Sequence, residues 1–126
     1  MLTSTYAFSG LGVSDLTAAK HFYGGQLGLE LEEDMGGLRM QLPGGQSLFV
    51  YYSPAFSAAG YTVLNFQVPD IDAAVQELTD AGIQLERYEG MQFDELGISR
   101  GKATSQGPDI AWFRDPAGNV LSVLEP

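Results

Sequence analysis

The sequence predicts an α+β fold in which one strand–helix module is used twice, and three observations carry that reading. Val13-Ser14-Asp15-Leu16 recurs 55 positions later as Val68-Pro69-Asp70-Ile71. Each copy closes a strand-like run and opens a run with helical spacing, and glycine follows both helical runs, at Gly28 and Gly82. The remainder of each half consists of short β-prone segments separated by glycine- and proline-containing turns. Two such halves facing each other make a concave site between them, so the repeat bears on function as well as fold.

Residues 6–13 read as a strand, because Leu11 and Val13 alternate with Gly10 and Gly12. Asp15 is a good N-cap, its carboxylate placed to accept from free amides of the first helical turn. Leu16, Ala19, Phe22, Tyr23 and Leu27 follow helical spacing, and Gly24-Gly25 and Gly28 are expected to fray or end that helix. Short strands are predicted at 30–33, 38–42 and 47–52. The small-residue stretch 53–60 is the expected linker, giving module one at about 5–52 and module two at about 61–126. A strand at 61–68 leads to a helix with the stripe Ile71, Ala74, Val75, Leu78 and Ala81, stopped by Gly82. A strand at 83–88 precedes a glycine-spaced segment, 89–109, long enough to suggest a lid or binding loop. Strands at 110–114 and 119–124 flank Asp115-Pro116-Ala117-Gly118, whose chemistry is that of a hairpin turn.

The chain has 126 residues, enough for one domain with its own core. It carries 16 acidic and 6 basic residues, a net charge of −10. That disfavours nucleic acid and weakly favours cationic ligands. No apolar run reaches membrane-spanning length, and residues 1–5 lack a secretion signal, so the expectation is a cytoplasmic protein without a membrane partner. The absence of cysteine removes thiolate metal sites and thiol nucleophiles.

The order Leu11-x-Val13-x-Asp15-Leu16, Phe22-Tyr23, Leu27-Gly28-Leu29, then Phe66-x-Val68-x-Asp70-Ile71, Leu78, Gly82, and finally Trp112-Phe113-Arg114-Asp115-Pro116-Ala117-Gly118-Asn119 resembles the vicinal oxygen chelate superfamily. That superfamily includes glyoxalase I, bleomycin-resistance proteins and extradiol dioxygenases. The resemblance spans nearly the whole chain. It implies a single domain of two βαβββ modules whose sheets form an open, barrel-like cleft, usually completed in a homodimer. Metal-using members place His or Glu at four strand positions. Counted from the shared motifs, those positions hold Phe8, Phe49, Val63 and Ser122 here, and a one-residue error offers only Ala7, Leu48, Leu64 and Leu121. The lone histidine, His21, falls on the first helix. No metal and no cofactor are therefore expected.

Strand alternation then gives the wall of the cleft. Tyr6 and Phe8, Phe49 and Tyr51, Val63 and Asn65, Trp112, and Ser122 fall on the inner face and form the candidate ligand-binding set. Phe113 and Leu121 fall on the core side. Apolar walls with a few polar groups suit a flat organic ligand. Arg100, Lys102, Asp94, Glu95 and Asp109 in or beside the long loop read as solvent-exposed charges, and Arg114 as a brace for the turn. No nucleophile–base pair or phosphate-binding loop is legible, so no catalytic residue is assigned. The sequence favours a metal-free, bleomycin-resistance-like protein that sequesters an aromatic, and by charge a cationic, compound. The alternative is a glyoxalase- or dioxygenase-like lyase, isomerase or oxygenase with an unusual site.

Overall fold

A computed structural model describes residues 1–126. The chain divides into two compact units, Met1–Ser57 and Ala58–Pro126. The two share one strand order, apart from an extra short strand in unit two.

Unit one runs β1 (Ser9–Val13), α1 (Leu16–Lys20), β2 (Leu31–Asp34), β3 (Gly37–Gln41) and β4 (Ser47–Tyr52). Its sheet has the order β1-β4-β3-β2, with β1 parallel to β4 and the other pairs antiparallel. Asp15 caps α1 by accepting from the Ala18 amide at 3.0 Å. The helix does not stop at Gly24-Gly25 as the sequence suggests. It widens into a π-helix, His21–Gln26, with the Leu27 amide bonded to the Phe22 carbonyl at 2.9 Å. Phe22 and Tyr23 are buried and in edge-to-face contact, centroids 4.9 Å apart. Burying two such rings outweighs the roughly 1 kcal/mol that each glycine costs a helix. The core face of the sheet is Leu11, Val13, Leu38, Met40, Leu48 and Val50, all buried.

Unit two runs β5 (Thr62–Gln67), α2 (Ile71–Asp80), β6 (Leu85–Glu86), β7 (Ser99–Arg100), β8 (Asp109–Arg114) and β9 (Val120–Glu125). Its order is β5-β9-β8-β6, again with the first strand parallel to its neighbour, and β7 pairs with β8. Asp70 repeats the cap, accepting from the Ala73 amide at 3.2 Å. Both helical segments are followed by a left-handed glycine, Gly28 at φ +71° and Gly82 at φ +83°. Ile71, Ala74, Val75 and Leu78 of α2 are buried over the sheet residues Ala111, Phe113, Leu121 and Val123.

The larger departures from expectation are these. Strand β1 begins at Ser9 rather than residue 6, because its pairing with β4 starts at Ser9 opposite Leu48. The strand expected at 83–88 shrinks to Leu85–Glu86. The segment 89–109 contains β7 and a 3-10 turn, Lys102–Thr104. A bulge interrupts β5 between Thr62 and Leu64.

Candidate functional site

In unit one, the sheet face opposite α1 carries a chain of aromatic contacts. Phe49 and Tyr51 are two apart on β4 and their rings stack at 6.1 Å, with planes 8° apart. Phe8, just ahead of β1, meets Phe49 edge-on at 6.2 Å, and Tyr6 stacks on Phe8 at 5.9 Å. Tyr6 Oη lies 3.0 Å from Ser47 Oγ, which holds the incoming chain to the start of β4. Tyr6, Phe8 and Tyr51 are 63%, 50% and 41% exposed. Small residues make room for these rings. A side chain at Gly10 would touch Tyr51, and one at Gly37 would stand 2.7 Å from Phe49 Cζ. Arg39, opposite Phe49 in the register, is ion-paired with Asp34, so the border of the aromatic strip is charge-balanced.

In unit two, the face opposite α2 carries Trp112, Ser122 and Asn65, which are aligned across β8, β9 and β5. Ser122 is fully buried and donates to Asn65 Oδ1. Trp112 Nε1 donates to Thr62 Oγ1 at 3.0 Å. Strict alternation back from Asn65 puts Val63 on this face. The bulge brings Thr62 onto it, and Thr62 is the residue that meets the indole. Tyr88 and Phe93 approach Trp112 edge-on at 5.6 and 6.2 Å. Sequence reasoning left both out of the site. Tyr88 follows the register in which Glu86 opposes Trp112, so alternation held a signal for it. Phe93 lies in an irregular segment, where no local pattern places it.

Four charges of the long segment have internal partners. The Asp94 carboxylate accepts from the amides of Leu96 (3.0 Å) and Ile98 (2.9 Å) and from Arg100 Nε (2.9 Å). Arg100 also pairs with Asp72 on α2 and with Asp109 on β8. Burial alone raises the Asp94 carboxyl. The Ile98 amide, Arg100 and the Leu96 amide outweigh it and hold the carboxyl below its ordinary range. Lys102 is engaged by Glu125, whose other oxygen accepts from the Ile71 amide at the start of α2. Asp94, Arg100 and Asp109 thus pin the segment to the sheet and helix, whereas Lys102, although paired, and Glu95 stay exposed as expected. Arg114 pairs with Glu86 and donates to the Gly118 carbonyl at 3.0 Å, the bracing role its position suggests. Asp115 closes the turn by accepting from the Ala117 and Asn119 amides and from Asn119 Nδ2.

The profile of the glyoxalase/bleomycin resistance protein/dioxygenase superfamily matches residues 5–123. The chain belongs to this superfamily. No curated protein matches it in sequence. Among solved structures it is similar to a glyoxalase family protein from Enterococcus faecalis, at 24% identity and TM-score 0.69, covering 99% of this chain and 100% of that one. It is also similar to TnmS3, an antibiotic binding protein from Streptomyces sp. CB03234, at 21% identity and TM-score 0.65, covering 99% of each. A glyoxalase/bleomycin resistance protein from the same Streptomyces strain aligns at 23% identity and TM-score 0.62, over 93% of this chain and 96% of that one. At these identities the likeness establishes the fold.

The metal that some superfamily members use does not fit the residues present. Phe8 and Phe49 belong to the aromatic chain of unit one, Val63 is at the bulge, and the Ser122 hydroxyl is committed to Asn65. Nowhere do three His, Asp or Glu side chains gather in a group that could hold a metal ion. His21 is exposed on the π-helix, its ring over Gly25.

Proposed function

We propose that this superfamily member is a small-molecule-binding protein that holds a flat aromatic compound against its aromatic sheet faces without a metal. The observation that carries the reading is the continuous run Tyr6–Phe8–Phe49–Tyr51, ring against ring and largely exposed on one face of a sheet. Exposed contiguous aromatic surface costs solvation free energy, and a planar ligand recovers it by stacking. Trp112, Tyr88 and Phe93 form a second, half-buried aromatic cluster in unit two. The net charge of −10 favours a cationic ligand by long-range attraction. One structural neighbour bears the name of an antibiotic binding protein, which is consistent with sequestration as the biological role. The protein works as a homodimer in this reading, the second copy covering part of the exposed aromatic surface.

Equilibrium dialysis against the planar tricycles fluorene, 9-fluorenone and 9-aminoacridine tests the reading. Saturable binding of at least one is expected, accompanied by a change in the emission of Trp112, the single tryptophan. Phe49→Ala should weaken binding at the face of unit one, and Trp112→Ala binding at that of unit two, each by about 1–3 kcal/mol. Absence of saturable binding, or binding indifferent to both substitutions, would refute it.

A further inference from the structure

The aromatic cluster of unit two contains one polar atom with no partner. Tyr88 Oη is buried, and no protein group lies within hydrogen-bonding reach of it. The polar side chains of this sheet face are committed elsewhere. The Trp112 indole N–H goes to Thr62, the Ser122 hydroxyl to Asn65, and Glu86 to Arg114. The wall beside it is fixed as well. The Arg87 guanidinium lies 6.0 Å from the centre of the Phe93 ring and donates to the carbonyls of Asp94 (2.9 Å) and Glu95 (3.2 Å). A buried hydroxyl without a partner costs stability, and a ligand acceptor placed beside it recovers that cost.

Building on the binding function proposed above, we infer that Tyr88 is the hydrogen-bonding anchor of the ligand in unit two. A planar compound lying against Trp112 and Phe93 presents a carbonyl-type oxygen, which accepts from the Tyr88 hydroxyl. Burial pushes the Tyr88 hydroxyl up, Arg114 opposes this and Glu86 adds to it, so near neutral pH the group is an uncharged donor. A neutral donor in an apolar cluster is satisfied by an acceptor atom and not by a cationic group, which the ligand holds away from Tyr88. Tyr88 Oη is closed off from solvent in the free protein, so binding requires the exposed residues 89–92, which precede the pinned Asp94, to shift. Polar discrimination of this kind is strong, because an analogue lacking the acceptor leaves the buried donor unpaired.

The test uses the matched pair 9-fluorenone and fluorene, planar tricycles that differ by one carbonyl, on the wild-type protein and on Tyr88→Phe. Wild type should bind 9-fluorenone about tenfold or more tightly than fluorene. Tyr88→Phe should bind the two alike, with its affinity for fluorene unchanged within about twofold. The free Tyr88→Phe protein should unfold in urea at the same midpoint as wild type or a higher one, because it loses an unpaired hydroxyl and no bond. A lower midpoint would show that the hydroxyl is already satisfied in the free protein and would overturn the inference. Equal binding of both probes by wild type, sensitive to Trp112→Ala, would overturn the role of Tyr88 and leave the binding function standing. Failure of wild type to bind either probe would overturn the role of Tyr88, and failure to bind 9-aminoacridine as well would overturn the binding function.

Discussion

Gly37→Ala should damage both the stability of unit one and its aromatic face, by an amount the structure bounds. Gly37 opens β3, beside β4. A methyl group there would stand 2.5 Å from the Val50 carbonyl oxygen and 2.7 Å from Phe49 Cζ. The ring tip of Phe49 can swing away, at the expense of its stack with Tyr51. The Val50 carbonyl cannot, because β4 is paired on both sides, with β1 and with β3. Relief therefore requires β3 to move off β4 at their shared end. Overpacking costs typically 1–3 kcal/mol, and a clash with fixed backbone belongs in the upper part of that range, about 2–3 kcal/mol. For a chain of this length that lowers the thermal midpoint by about 6–15 °C. Urea and thermal unfolding measure it, with Gly60→Ala as the control. Nothing lies within 4 Å of a methyl group at Gly60. There the substitution should be neutral or stabilise by up to about 1 kcal/mol through the unfolded chain. If Gly37→Ala unfolds together with Gly60→Ala, the packing argument for the aromatic face is wrong.

Asp94→Ala removes the acceptor of three hydrogen bonds and should destabilise by about 2–3 kcal/mol at neutral pH, read by urea unfolding. The folded Asp94 carboxyl titrates below its unfolded value, so its contribution is complete above about pH 4 and is lost as pH falls through the folded value. Asp94→Ala should accordingly show a shallower loss of stability in acid than wild type, and an unchanged acid profile would contradict this assignment. Sedimentation at micromolar concentration should give twice the chain mass; a single chain mass would remove the homodimer from the proposed function while leaving ligand binding intact.

Much of the fold was legible because its signals are local. The two caps, Asp15 and Asp70, and the two glycine stops, Gly28 and Gly82, each act within a few residues of chain, and the β-prone run Ser47–Tyr52 marks β4 directly. Features set by distant partners were not legible. Tyr6 and Phe8 continue the alternation of β1, yet the strand starts later because its pairing with β4 starts later. The π-helix depends on burying Phe22 and Tyr23 under a sheet whose strands come later in the chain. At the candidate site, alternation put Phe49 with Tyr51, and Asn65, Trp112 and Ser122, on common faces of their sheets. It missed Thr62 because a bulge breaks the period. It missed Phe93 because that residue is positioned by Arg87 and by the Asp94–Arg100–Asp72 network, which ties the segment to α2.

Metal-independent binding of a planar compound on the aromatic faces is most directly tested by NMR mapping of 9-fluorenone binding in excess EDTA, on protein whose metal content is determined in parallel. Shift changes centred on Tyr6, Phe8, Phe49, Tyr51 and the Trp112 indole, unaltered by EDTA and with no stoichiometric metal present, are the predicted result. Binding that EDTA abolishes, about one divalent ion per chain, or shift changes confined to the helix-side surfaces would contradict it.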